Sequence, residues 1–218
     1  MLNPLGIGFF FRRILWQDSQ DTAILKILLI QSKKSFNKNL WRYGGNLIQI
    51  YTGNGKGKTT AAMGLALRVL GHKMNVCIVQ FFKNKNYYGE QKIFKKLENL
   101  KFYSFAQKHP HFYPDCGIKT NDIIKEVEKA VVLTEKILKE KKYDLLILDE
   151  LNIVIRDRFV DIDKIVKLLK EAPKEMEIVI TGRDAHKKIL ELADLITEMR
   201  LVKHPYRKGA KTRKGIDY

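Results

Sequence analysis

The ten residues from Tyr51 to Thr60, Tyr-Thr-Gly-Asn-Gly-Lys-Gly-Lys-Thr-Thr, interleave three glycines with two lysines and close on two threonines. That mixture can cradle a phosphate. Gly53, Gly55 and Gly57 admit positive φ angles and close approach, so successive backbone N–H groups can converge on phosphate oxygens. A helix opening at this point adds the positive end of its dipole. Lys58 supplies a formal charge, and Thr59 offers its hydroxyl to a magnesium ion bridging the phosphates. Asn54, Lys56 and Thr60 complete the candidate nucleotide-binding set. The loop departs from G-x-x-x-x-G-K-[ST], because Thr52 holds the first glycine position and the glycine follows one residue later.

A second group lies ninety residues on. Leu145-Leu146-Ile147-Leu148 runs straight into Asp149-Glu150, which reads as a fully buried strand whose tip carries two acids. In a parallel sheet the carboxyl ends of the strands face the ligand crevice. Asp149 or Glu150 then holds the metal, directly or through water, and spacing alone does not divide the tasks between them. Lys58 and Glu150 are the candidate catalytic residues, and Thr59, Asp149 and Glu150 are the candidate metal ligands.

Such residues need a scaffold that brings strand tips together. From Leu47 onward, short apolar runs alternate with longer helical periods, the pattern of βαβ units in a parallel sheet. The pattern predicts strands at 47–52, 75–82, 101–105, 143–149, 177–181 and 195–202, with helices at 59–70, 89–100, 121–142, 161–171 and 184–193. The expected fold is α/β, a P-loop NTPase with a mostly parallel sheet and flanking helices. Residues 47–218 form one domain on this reading. Residues 1–46 show no sustained period before Gly44-Gly45 breaks the chain, and form an extension expected to be poorly ordered, either a leader or a lid over the site.

Composition narrows the partners. The 218 residues are 45% apolar and carry a formal net charge of +17, with much of the excess in residues 1–46 and 200–218. Charge gathered at the two ends argues against a nucleic-acid-binding face in the body of the domain. No apolar run is long enough to span a bilayer, and Arg12 and Arg13 follow the apolar stretch Leu5 to Phe11, opposite to a secretory signal. A cytoplasmic protein with no membrane and no nucleic-acid partner is expected. Cys77 lies in an apolar run and reads as a core residue, Cys116 has no partner pattern, and His109 and His111 flank Pro110 as surface residues.

At this point the chain resembles a known family, the P-loop type ATP:corrinoid adenosyltransferases, from Leu47 to Tyr218. The resemblance rests on T-G-N-G-K-G-K-T-T-A-A at Thr52 to Ala62, V-Q-F at Val79 to Phe81 followed by Gly89-Glu90, L-D-E at Leu148 to Glu150 and T-G-R at Thr181 to Arg183. The ending is its most specific part: E-L-A-D at Glu191 to Asp194, V-K-H-P at Val202 to Pro205 and K-G-I-D-Y at Lys214 to Tyr218. The shifted glycine is this family's own loop.

The resemblance implies a recombinase-like core, a homodimer and two substrates, ATP and a reduced corrinoid, with Mg2+ (or Mn2+) as cofactor. The implied reaction is attack of Co(I) on the ribose C5′ carbon, with triphosphate leaving, in adenosylcobalamin biosynthesis or salvage. It also implies an electron-donor flavoprotein, a nucleotide contact from Arg183, and aromatic residues at the cobalt face. Phe112 and Tyr113, within Gln107 to Gly117, are the candidates for that face, or else anchor a long loop. Lys83 and Glu90 are further candidates for nucleotide or corrinoid contact. The alternatives sharing the loop and the acid pair are a P-loop nucleoside kinase and a nucleic-acid-dependent recombinase-like ATPase.

Overall fold

Six apolar runs form strands: β1 (Ile48–Thr52), β2 (Val76–Phe81), β3 (Leu100–Phe105), β4 (Leu145–Asp149), β5 (Glu177–Thr181) and β6 (Leu195–Glu198). The helices between them are α1 (Lys58–Gly71), α2 (Gly89–Phe94), α3 (Thr120–Glu140), α4 (Leu151–Arg156), α5 (Ile162–Lys170) and α6 (Lys187–Leu190). The computed structural model describes residues 47–83, 87–106, 108, 117, 119–203, 205, 209 and 211–217. The expectations for residues 1–46, for Phe112 and Tyr113, and for His109, His111 and Cys116 lie outside the described residues.

The strands form one sheet in the order β3-β2-β4-β5-β1-β6, and every pairing is parallel. The expected α/β fold with flanking helices is therefore what the chain adopts. Two consequences of the order matter for the site. The strands β1 and β4, which deliver the glycine loop and the acid pair, flank β5, so the tip of β5 stands between them. Register then sets Gln80 of β2 beside Asp149 of β4, and Thr181 of β5 beside Tyr51 of β1.

Alternate residues of each inner strand enter opposite layers, as the pleat requires. Ile50, Val79, Phe81, Leu146, Leu148, Ile178 and Ile180 pack on one face against Val127, Ala130 and Val131 of α3, Leu151 and Val154 of α4, and Leu168 and Leu169 of α5. Ile78, Leu145, Ile147 and Val179 pack on the other face with Ala62, Met63 and Ala66 of α1 and Phe94 of α2. Both faces are covered, which explains strands with no polar alternation. Cys77 is buried in this core as expected, and burial pushes its thiol up to about 12.

Several elements end earlier than periodicity predicts. The helix expected over 89–100 stops at Phe94, because Leu97 N–H bonds back to the Phe94 carbonyl and Asn99 already pairs with Val76 to start β3. The helix expected from 184 starts at Lys187, since Asp184 has φ 53° and the His186 ring accepts from Lys188 N–H as its cap. The strand expected to reach 202 ends at Glu198, where the chain turns over the glycine loop. Helix α4 was not foreseen; Glu150 at φ 66° turns the chain directly out of β4 into it.

Candidate nucleotide-binding site

The loop and the helix it opens follow from local sequence. Gly57, at φ 118°, caps α1 in a conformation that a side chain would strain, and its carbonyl accepts from Ala61 N–H at 2.8 Å. The first turn of α1 has no acidic residue and no side-chain cap, so its N–H groups and dipole face the loop uncompensated. Lys58 is buried beneath the loop, and its ammonium donates to the carbonyls of Gly53 and Gly55, both at 2.7 Å. Burial lowers the Lys58 pKa, against the raising pull of Glu150. Asn54, Lys56 and Thr60 stand exposed around the rim.

Asp149 is the hub of the site and is fully buried. Its Oδ1 accepts from Thr59 at 2.9 Å and Thr181 at 2.7 Å; its Oδ2 accepts from Gln80 at 2.8 Å and Lys83 at 3.0 Å. Burial alone would raise this carboxyl, but the Lys83 charge and the bonds from Gln80, Thr181 and Lys83 outweigh it and hold the pKa below the ordinary Asp range. The Thr181 hydroxyl also accepts from Glu150 N–H at 2.9 Å. One threonine at the tip of β5 thus fixes both acids. Glu150 behaves oppositely, with its pKa raised by burial and then by the adjacent Asp149 charge. The two acids are therefore not equivalent: Asp149 is the carboxylate aligned with Thr59.

Thr59 and Asp149 present hard oxygen donors side by side at the N-terminus of α1, a set that suits a divalent cation completed by phosphate oxygens and water. The place already accepts positive charge. The Lys83 ammonium lies 2.6 Å from Thr59 Oγ1 and 3.0 Å from Asp149 Oδ2, with 11% of its side chain exposed. Burial would lower the Lys83 pKa, but Asp149 and Glu150 together raise it, so it is held as the cation.

The remaining predicted residues take distinct places. Arg183 is exposed just past Thr181, and its charge acts on Lys58 and Glu150. Gly182, at φ 129°, lets Asn152 approach; a Cβ there would lie 2.8 Å from the Asn152 Cβ. Lys56 points along the rim to the chain's end, donating to the Ile216 carbonyl at 2.9 Å and pairing with Asp217. Glu90 sits in the first turn of α2.

Sequence reasoning missed two supports. Gln80, the central residue of V-Q-F, is fully buried and bonded to Asp149, and Gln91 in turn donates to Gln80 at 2.7 Å. A lone amide inside an otherwise apolar strand was the available signal. Met199 carried no signal. After β6 its carbonyl accepts from Gly55 N–H at 2.6 Å, and its sulfur faces Gly57.

The sequence has known relatives. The family model described as ATP:corrinoid adenosyltransferase BtuR/CobO/CobP matches residues 45–218. The chain belongs to this family. It is 34% identical over 175 residues to a corrinoid adenosyltransferase of Sinorhizobium sp, covering 79% of this chain and 80% of that one. To the corrinoid adenosyltransferase of Escherichia coli strain K12 it is 36% identical over 174 residues, covering 79% and 85%. A solved structure, the flagellar accessory protein FlaH from Methanocaldococcus jannaschii, superposes with a TM-score of 0.51 at 17% identity, covering 71% of this chain and 70% of that one. That likeness concerns the fold alone. Membership in the adenosyltransferase family makes the chain a transferase that adenosylates corrinoids with ATP, a step of cobalamin biosynthesis.

Proposed function

We propose that this protein binds Mg2+–ATP on the Gly53–Thr60 loop and presents the ribose C5′ carbon to the reduced cobalt of a corrinoid. Co(I) donates an electron pair to C5′, the C5′–O bond breaks, and triphosphate leaves with the bonding pair. The observation that carries the reading is the convergence of Lys58, Thr59 and Asp149 at the N-terminus of α1, which has no side-chain cap, in a chain of this family. A leaving triphosphate gathers negative charge, and loop amides, Lys58 and Arg183 preorganised around it lower the barrier without reorganising. No general base is needed, because Co(I) is itself the nucleophile. The protein positions two partners and excludes water.

Within this reading, Thr59 and Asp149 hold the divalent ion, Mg2+ or Mn2+. Bound there, it would supply charge neutralisation to the phosphates. Glu150, beside Asp149, would join it and Thr59 in holding that ion, directly or through water. Gly53, Asn54, Gly55, Lys56, Gly57 and Thr60 line the nucleotide. Phe112 and Tyr113 serve the cobalt face. The protein works in the cytoplasm as a homodimer, takes electrons from a flavoprotein, uses no nucleic acid, and acts in biosynthesis or salvage.

The test is anaerobic mixing of the protein with ATP, Mg2+ and chemically reduced corrinoid. A light-sensitive alkyl-cobalt spectrum with one intact triphosphate released per adenosyl group is expected. ADP as the nucleotide product, with no cobalt–carbon bond, would overturn it.

A further inference from the structure

We infer that Lys83 is an internal placeholder for the divalent cation: its ammonium fills the Thr59–Asp149 site while nucleotide is absent and yields that position when metal and nucleotide enter together. The inference rests on the metal assignment proposed above for Thr59 and Asp149.

The placement argues for it. Lys83 follows β2 after Phe82, whose φ of 56° turns the chain back toward the sheet tips. Its Nζ touches the two groups proposed as metal ligands, at 2.6 Å from Thr59 Oγ1 and 3.0 Å from Asp149 Oδ2. A metal bound to both would need that volume, so ammonium and metal exclude each other. Asp149 is fully buried, and a buried carboxylate left without a cation is strongly destabilising. Lys83 removes that cost in the empty enzyme. The Tyr88 ring, 5.3 Å from Nζ, adds a cation–π contact that helps hold the ammonium in this position.

The consequence is ordered binding. With Lys83 in place, a free divalent ion has no open position, and only an ion arriving with a polyanionic nucleotide, which also attracts the ammonium, can displace it. When triphosphate leaves, the ammonium returns to Asp149 and expels the metal. The enzyme is thereby kept from holding a naked metal ion between turnovers.

The experiment measures Mn2+ binding by the loss of free-ion electron paramagnetic resonance signal, with and without ATP. The wild type, Lys83→Met, Lys83→Gln and Lys83→Met with Asp149→Asn are compared. Wild-type protein is expected to take up Mn2+ only with ATP. Lys83→Met should take up Mn2+ without nucleotide at least tenfold more tightly than wild type, and the double variant should lose that gain. Lys83→Gln keeps polar contacts without charge, guards against misfolding of the methionine variant, and should show a Mn2+-dependent rise in thermal midpoint that wild type lacks. Equal nucleotide-free binding by wild type and both single variants would overturn the placeholder while leaving the metal site intact. If ATP recruits no Mn2+ to wild type, both the metal assignment and the placeholder fall together.

Discussion

Thr59 and Asp149, ninety positions apart, meet side chain to side chain at 2.9 Å, joining the start of α1 to the tip of β4. Asp149→Asn would turn an acceptor that serves four donors into one that must aim an NH2 group at two of them. It would also leave the Lys83 charge unpaired. We expect a loss of about 3–5 kcal/mol in stability, the usual result of breaking a buried pair from one side. Thr59→Val should fold and instead require at least about tenfold more Mg2+ for half-maximal transfer, roughly 1.4 kcal/mol. Denaturant melts and metal titrations check the two, and an unchanged metal requirement would remove Thr59 from the metal site.

Lys58→Ala should leave a folded protein whose adenosyl transfer falls by about 10²–10³, the range seen when one preorganised stabiliser of developing charge is removed. The lysine also ties the carbonyls of Gly53 and Gly55, so ATP affinity should weaken too. Far-UV circular dichroism and single-turnover rates check this. Near-normal transfer would contradict the site.

Much of this was legible from residue types. Glycines between a strand and a helix, and paired acids after four apolar residues, announce themselves because the chemistry depends on local spacing. What escaped depends on strand order. Nothing in the spacing of Thr181 says that β5 lies between β1 and β4, yet that position lets one hydroxyl serve both acids. The end of β6 was missed for a similar reason. Periodicity sees apolar residues continuing to Val202, but the Gly55 amide takes the Met199 carbonyl, and Val202 ends up exposed. Lys83 was legible as a candidate for nucleotide or corrinoid contact, but its place against Thr59 and Asp149 follows from the two oxygens it touches.

Two glycines should respond in opposite directions to alanine. At Gly55 a Cβ would sit 2.6 Å from the Met199 carbonyl oxygen and 2.9 Å from that of Arg200, both backbone atoms. Gly55→Ala should therefore cost about 1–3 kcal/mol by overpacking and weaken ATP binding. At Gly64, exposed within α1, nothing lies within 4 Å, and Gly64→Ala should stabilise by roughly 0.5–1 kcal/mol through helix propensity. Thermal midpoints measured side by side decide; equal losses would show that the space around Gly55 is not what sets its identity.

Removing residues 1–44 should leave a protein that still folds, because all six strands of the sheet begin at Ile48 or later. The family match also begins at residue 45. Retention of the far-UV spectrum and a cooperative melt are expected. A rise in the corrinoid KM with unchanged kcat would assign the extension to a lid, whereas insoluble protein would show that the sheet depends on it.

Lys56, on the rim of the glycine loop, is paired with Asp217 near the end of the chain, which ties the closing segment to the nucleotide site. Asp217 also accepts from Arg213 N–H at 2.8 Å and from the Arg213 guanidinium at 3.2 Å. Hydrogen bonding from Lys56, then from the Arg213 backbone, holds its carboxyl well below the ordinary Asp range. A depressed pKa fixes the sign: the stabilisation is complete above the unfolded Asp value of about 4 and is lost as pH falls below it toward the folded value. Asp217→Asn should therefore lower the thermal midpoint by a constant amount between pH 7 and about pH 5, and the gap to wild type should narrow steadily below about pH 4. Because the pair is exposed, roughly 1 M salt should narrow the gap as well. The same variant should be cleaved faster near its C-terminal end in limited proteolysis, and ATP should lose affinity if the closing segment steadies the loop. A gap that stays the same at pH 3 and in high salt would mean that Asp217 acts through packing rather than charge, and the ion pair would then not be what holds the segment in place.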